Sequence, residues 1–476
     1  MIETERKFSA DYIKNITALD TELRLSASFD LVGRDLKIDK RNARLYFVDG
    51  FCKDGEMTKI MTNFMSATEE QMRSLPTLRE FANRYVPYVE TDVISGVDEF
   101  IKSVLSGAVG LIVEGYRDAI IIDARTYPVR SVAEPENDRV LRGPHDGFVE
   151  TLVFNTALVR RKIRDVNLTM EITSVGKKSK TDVVICYMQD KVNTKMLDTL
   201  RKKLSAVKIN SLTMSQQSLV ECLVPKQWYN PFPKVRYTER PDAAAASVLE
   251  GSIVLMIDNS PAAMIIPSGI FDFLQDTNDF YMSPVIGSYL RITRMIIFAL
   301  TLLLIPVWYL LVQNPGYIPE WLDFIKIEKP NTVPIIVQLY IVELVIDAIR
   351  LASFNTPNAL SSSFGVVGAL VLGEFAVSAG WFVPEVVLYM AFVAVTNYAQ
   401  PSFELGYAFK IKRMLLIGLI ALFNIWGFIA GMIIIILEIA FTKTVTGQCY
   451  LYPLIPFNGK ALANLLLRKP INKRNN

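Results

Sequence analysis

The run MIIFALTLLLIPVWYLLV (295–312) decides the architecture of this chain. It passes 18 residues without a charge, and a helix rising 1.5 Å per residue needs roughly 20 to cross a 30 Å hydrocarbon core. Arg291 and Arg294 stand before it, and Trp308 and Tyr309 lie near its far end. A basic entry and an aromatic exit predict that the chain enters the membrane from the inside. Pro306 falls within the run, which is tolerated where neighbouring helices satisfy the freed carbonyl.

Either side of this run the composition differs. Residues 1–290 carry dense charge and short apolar patches, whereas 295–440 hold nearly all the long apolar runs. The 476 residues are 51% hydrophobic with a mean hydropathy of +0.27 and a net charge of +3. That charge makes no case for a nucleic-acid partner. The start, MIETERKFSADYIKN, has no apolar core of an export signal, so the N-terminal region is expected in the cytoplasm. Four scattered cysteines without CxxC spacing fit a reducing compartment. One histidine, His145, excludes a histidine-based zinc site. No phosphate-binding, dinucleotide, metalloprotease or nucleophile-elbow motif occurs. No enzyme and no cofactor are expected.

In the soluble part, SVLSGAVGLIVEGYRDAIII (103–122) returns as SVLEGSIVLMIDNSPAAMII (247–266), with eight of twenty positions identical. Each copy reads as a helix end, a glycine stop and two short strands. This predicts related αββ units, in two subdomains or one composite domain. Further helices are expected at 15–25, 56–84, 148–163 and 195–207, a strand at 43–51, and paired strands around the basic turn at 176–180. The cationic run 160–164 reads as a solvated face. The fold class is therefore an α/β cytoplasmic N-terminal region with two related subdomains, followed by an α-helical polytopic membrane domain of about five helical segments. The boundaries expected are 1–135, 136–285, 286–445 and a basic, interfacial tail at 446–476.

The membrane segments after the first are 333–352, the tight pair 364–380 and 381–399, and a final span, 414–437. The pair reads either as two spans or as a re-entrant hairpin. Counting crossings leaves the C-terminus outside, yet Arg468, Lys469, Lys473 and Arg474 argue for inside.

The second segment contains VELVIDAIRLA (342–352). On a helix, Asp347 lies about 40° and Arg350 about 20° from Glu343, so the three share one stripe. A charge at mid-membrane costs about 2.5–3.5 kcal/mol, so the stripe is not expected to face lipid. Either it packs inward, neutralised by groups such as Lys410 or Arg413, with Asp347 and Arg350 paired at i,i+3, or it lines a wet cation path. Glu374, beside the small residues of GALVLG, is a further candidate for the path. Glu385 and Glu438 are acids nearer the helix ends.

Three stretches carry a resemblance. RGPHDGFVETLVFNTALVRRKI (142–163) resembles the first signature of the A subunits of GerA-type spore germination proteins. NPFPKVRYTERPDAAAASVLEGSIVLMIDNSPAAMIIPS (230–268) is similar to their second. VELVIDAIRLA with GVVGALVLGEFAVSAGWFVPE (365–385) resembles their acidic helix and glycine-rich segment. IRDVNLTMEITSVGKKSKTDVVICYM (163–188) looks most like the stage V sporulation protein AF subgroup. His145 stands where the family usually has arginine. The resemblance covers roughly 85–460. It implies a multi-pass protein of the spore inner membrane, a homo-oligomeric cation channel component that supports or amplifies the germinant response. Implied partners are the lipid bilayer, germination receptor subunits and a small membrane protein. In a ring, Glu343, Asp347, Arg350 and Glu374 would border the ion pathway. The alternatives are a secondary transporter or a scaffold that clusters receptors.

Overall fold

The computed structural model describes residues 6–126, 142–224, 229–327, 332–355 and 376–468. The chain divides into two units, Met1–Pro225 with Val235–Pro267, and Lys226–Lys234 with Ser268–Asn476.

The first unit holds two antiparallel five-stranded sheets. One is formed by β1 (Leu31–Ile38), β2 (Arg41–Val48), β3 (Thr91–Ile94), β4 (Val109–Val113) and β5 (Ala119–Ile122), in the order β1-β2-β4-β5-β3. The other is formed by β6 (Leu168–Val175), β7 (Thr181–Met188), β8 (Arg236–Thr238), β9 (Ile253–Ile257) and β10 (Ala263–Ile266), in the order β6-β7-β9-β10-β8. The two orders are the same, so the repeat exceeds the phrase read from sequence. It comprises a helix, a hairpin, a helical connection, an edge strand, a helix and a second hairpin, twice over.

The helices of this unit are α1 (Tyr12–Glu22), α2 (Asp54–Met65), α3 (Glu69–Arg73), α4 (Leu78–Tyr85), α5 (Val97–Leu105), α6 (Leu152–Lys162), α7 (Thr194–Ser205), α8 (Ser215–Leu223) and α9 (Pro241–Leu249). The first sheet is covered on both faces. Leu45, Leu111 and Ile120 pack on α2 and α4, while their strand neighbours Tyr46, Ile112 and Ile121 pack with α1 and α5. Burial on both faces explains the unbroken apolar runs of β4 and β9, every residue of which is buried.

Equivalent positions carry equivalent constraints. Gly107 and Gly251 follow α5 and α9 with φ of 101° and 97°, a left-handed stop that glycine adopts without steric cost. At the next turn Gly115 has φ 93°, and its counterpart is Asn259 at 59°. Asn15 and Asn155 make the same clamp: each side-chain amide donates to the carbonyl six residues back, Ser9 and Val149, at 2.8 and 2.5 Å. Each side-chain oxygen accepts from the N–H of that residue.

The single helix expected at 56–84 is three. Thr68 with Gln71 and Thr77 with Glu80 form capping boxes, each starting a new helix by satisfying its first N–H groups. The solvated reading of the basic run holds for Arg161 and Arg164, which are exposed, and fails at Arg160, which is fully buried. Its guanidinium donates to both oxygens of Asp30 at 2.7 and 3.1 Å, to Ser28 Oγ, and to the carbonyls of Asp165 and Leu168. A side chain of the second repeat thus closes on the first.

The second unit is helical: α10 (Asn278–Tyr281), α11 (Pro284–Gln313), α12 (Ile335–Asn355), α13 (Ala376–Ser378), α14 (Pro384–Tyr398), α15 (Phe403–Phe441) and α16 (Gly459–Leu466). Among the described residues, α11 and α15 are long and apolar enough to cross a membrane. Most of the expected segment 364–380 lies outside the described residues.

The final span expected at 414–437 is not one rod. Asn424 interrupts α15 with φ 51° and ψ −129°, a conformation that asparagine tolerates better than other non-glycine residues. The helix folds back there. Lys412 Nζ and Glu438 Oε2, which a straight helix would hold roughly 39 Å apart, meet at 2.5 Å. Gly427 and Gly431 let the arms close. A Cβ on Gly427 would come within 2.0 Å of the Leu419 carbonyl oxygen, and one on Gly431 within 2.5 Å of Leu416. At the tip, the Asn424 and Asn314 side chains exchange two hydrogen bonds of 2.6 and 3.0 Å.

The reversal returns the chain toward the start of α11. The tail ends beside the first turns of α11, where Arg468 N donates to Ser288 Oγ at 2.9 Å and Arg291 donates to the Asn464 carbonyl at 3.1 Å. At the same end Arg294 grips the fully buried Asp279 with two hydrogen bonds of 2.7 and 3.1 Å.

Candidate functional site

The charged stripe of α12 faces inward. Gln338, Leu339, Val342 and Glu343 are buried, while Val337, Leu344 and Leu351 on the other side are exposed. The inward face meets the first arm of α15, where Lys410 and Arg413 stand three residues apart and so on one side of the helix.

Glu343, only 4% exposed, accepts a hydrogen bond from Arg413 through Oε1. Lys410 Nζ lies 3.7 Å from the same oxygen and donates to the Glu343 backbone carbonyl at 3.3 Å. Lys410 also forms an ion pair with Asp347. The Tyr407 hydroxyl reaches Asp347 at 3.5 Å. Arg413 donates through Nη1 to the carbonyl of Thr301 on α11, at 2.7 Å. Two acids on one helix are thus matched by two cations on another. That matching offsets the cost of burying them, since an unpaired charge there is strongly destabilising.

The depth follows from α11. Thr301 lies roughly 10 Å along the helix from Arg294, and Asn314 roughly 30 Å. The network therefore sits about a third of the way along the apolar length of α11.

Arg350, roughly 10 Å further along α12 than Glu343, lines the same cavity. Its guanidinium lies over the rings of Phe403, Tyr398 and Tyr407, 4.0, 4.7 and 5.0 Å from their centroids, a favourable arrangement for a cation. Asp347, expected to pair with Arg350 within the helix, takes Lys410 from another element instead. Glu374 lies outside the described residues. Glu438 is bound to Lys412, at the base of the folded arms.

Between α12, α14 and α15 is a cavity of about 10 Å³, lined by Glu343, Asp347, Lys410, Arg413, Asn397 and Tyr398 among others. That is room for about one water. Among the described residues, Arg413 Nε, Asn397 Oδ1 and Gln400 Oε1 are buried polar atoms without a hydrogen-bond partner. Asn397 and Gln400, with Thr301 and Thr396, were not singled out from sequence. The signal for Thr396, Asn397 and Gln400 was the polar cluster TNYAQ (396–400) interrupting an apolar run.

The family described as Bacillus/Clostridium GerA spore germination protein matches residues 19–476. Stage V sporulation protein AF of Bacillus subtilis (strain 168) is 38% identical over 458 residues, covering 96% of this chain and 91% of that protein. Spore germination protein KA of the same organism is 26% identical over 468 residues, covering 97% and 85%. The crystal structure of the N-terminal domain of the A subunit of the Bacillus megaterium spore germinant receptor GerK3 aligns with 55% of this chain and 97% of its own, at 24% identity and a TM-score of 0.43.

Proposed function

Because the chain belongs to the GerA family of spore germination proteins, we propose that it is a multi-pass protein of the spore inner membrane that assembles with copies of itself and conducts monovalent cations. Its N-terminal region faces the cytoplasm, and it has no catalytic activity of its own. Germination receptor subunits and a small membrane protein are its partners, and its role is to support or amplify the germinant response.

One observation carries this reading: the carboxylates Glu343 and Asp347 are held within the helical unit, on helices with apolar outer faces, beside a cavity of about 10 Å³. Carboxylates are retained at such depth mainly where ions or protons pass. In the described arrangement both are neutralised, which corresponds to a closed path. Opening separates α12 from the first arm of α15 and exposes the acids to permeating cations. Spores carrying Glu343→Ala should release monovalent cations more slowly on exposure to germinant, at unchanged protein abundance. Release at the parental rate contradicts the reading.

The pairing of Glu343 with Arg413 and Lys410 within one chain supports a second reading, in which the network is a folding device in a scaffold that clusters receptors. Under that reading Glu343→Ala lowers protein abundance and receptor clustering together and leaves ion release per receptor unchanged.

A further inference from the structure

The segment that follows α15 is fixed at both ends and exposed between them. Tyr450 is fully buried. Its hydroxyl donates to the Pro233 carbonyl at 2.7 Å, and its own carbonyl accepts from the Ile270 N–H at 3.0 Å. Further on, Asn458 caps α16 by accepting from the Ala461 N–H at 3.1 Å. Arg291 donates to the Asn464 and Leu465 carbonyls at the other end of α16, at 3.1 and 3.4 Å. Between these anchors Tyr452, Leu454, Ile455 and Phe457 are 46, 41, 51 and 75% exposed. Apolar side chains held outward together in this way mark a surface that something else covers.

Charge says what covers it. From Ile439 to Arg468 the sequence holds Lys443, Lys460 and Arg468 and no aspartate or glutamate. Lys443 and Lys460 are exposed. The acids elsewhere at this end of the helical unit are mostly engaged. Arg294 takes Asp276 and Asp279, Lys412 takes Glu438, and Asp272 accepts from the Gly269 N–H. Glu404 is the exposed acid. Counting every described charge at this end outside the Glu343 network, Lys234, Arg291, Arg294, Lys412, Lys443, Lys460 and Arg468 outnumber Asp272, Asp276, Asp279, Glu404 and Glu438 by two. The surface is therefore apolar and cationic together, which complements an anionic lipid interface. Its level agrees. Arg468 is bound to Ser288, roughly 10 Å before the apolar run of α11, about the depth of lipid headgroups.

We propose that residues 452–468 form a docking surface for anionic phospholipids of the inner leaflet. Leu454, Ile455 and Phe457 enter the boundary of headgroups and acyl chains, and Lys443, Lys460 and Arg468 meet the phosphates. This rests on the reading of the helical unit as a membrane domain and is independent of conduction.

The test is thermal unfolding of the full-length protein in a neutral detergent, titrated with phosphatidylglycerol, with phosphatidylcholine, or with glycerol phosphate, which has the headgroup chemistry without acyl chains. Phosphatidylglycerol should raise the midpoint by several degrees, saturably, because a ligand bound only to the folded state stabilises it by mass action. The rise should shrink at high salt. Phosphatidylcholine should raise it less, and glycerol phosphate not at all. Lys443→Gln combined with Lys460→Gln removes two exposed charges that form no ion pair among the described residues. Its midpoint without lipid should match the wild type. The phosphatidylglycerol needed for half the rise should grow at least about tenfold, since each basic residue at an anionic surface contributes about fivefold in affinity. Phe457→Ser should weaken the response in the same direction.

Equal rises with the two lipids overturn the proposal and leave the membrane reading standing. So does a wild-type response in the double variant. Stabilisation by glycerol phosphate alone also overturns it, because the surface would then serve a soluble anion. A double variant that loses copies from its assembly in neutral detergent assigns the surface to a contact between protomers and overturns it too. A protein that no lipid stabilises contradicts the membrane reading itself.

Discussion

At the scale of single residues, buried charge is matched by charge from distant sequence. Arg160 and Asp30 are 0% and 1% exposed, and the Arg160 guanidinium also satisfies two backbone carbonyls. Removing one partner of such a pair leaves an uncompensated buried charge, at a cost of about 3–5 kcal/mol. Asp30→Ala should therefore lower the unfolding free energy of the N-terminal unit by that amount, read from denaturant midpoints at constant slope. Adding Arg160→Met should recover part of the loss, because the isolated cation is then gone. A single substitution costing under about 1 kcal/mol would show the pair to be dispensable. Within α12 the stripe of Glu343, Asp347 and Arg350 was legible, since 100° per residue fixes which side chains share a face. Lys410 and Arg413 were legible as cations that could neutralise it, but not which acid each takes. For Asp347, spacing along one helix points to Arg350, and only the approach of α15 brings Lys410 to it.

At the scale of elements, hydropathy misleads where helices turn inside an apolar run. The stretch MLLIGLIALFNIWGFIAGMIIIIL (414–437) is uniformly apolar apart from Asn424, so a window average sees one span. The structural signals are local: one asparagine at positive φ, and Gly427 and Gly431 four residues apart on the facing arm. The charge distribution held a second signal, because a basic tail conflicts with the crossing count of a straight final helix. The folded arms predict that single cysteines placed at Ser283 and Lys460 are labelled by an impermeant reagent from the same side of oriented vesicles. Gly427→Leu, whose side chain would meet the Leu419 backbone, should disrupt this arrangement and lower the thermal midpoint by several degrees. Labelling of the two positions from opposite sides would show that α15 crosses as one rod. The repeat of the N-terminal unit was legible through its glycine stop and second hairpin, where identity persists. Its first hairpin and edge strand were not, because LVGRDLKI and LTMEITSV share a pairing pattern with little residue identity.

At the scale of the whole chain, two kinds of stability divide the length. The N-terminal unit is held by sheets buried on both faces and by ion pairs such as Arg160–Asp30. The helical unit keeps apolar outer faces and turns charge inward, in the Glu343 network and in the Lys412–Glu438 and Arg294–Asp279 ion pairs. A soluble protein gains nothing from that second arrangement, whereas in a bilayer the outer faces would meet lipid and the Glu343 network would be a hydrophilic feature at depth. Membership of the GerA family gives the arrangement a setting in spore germination. The most direct measurement is potassium flux from proteoliposomes holding the purified full-length protein, compared with vesicles holding Glu343→Gln. The account predicts flux through the wild type above that of empty vesicles, and a fall of about tenfold or more in Glu343→Gln protein that is folded and equally reconstituted. Wild-type flux no greater than that of empty vesicles, or equal flux through both proteins, would contradict it.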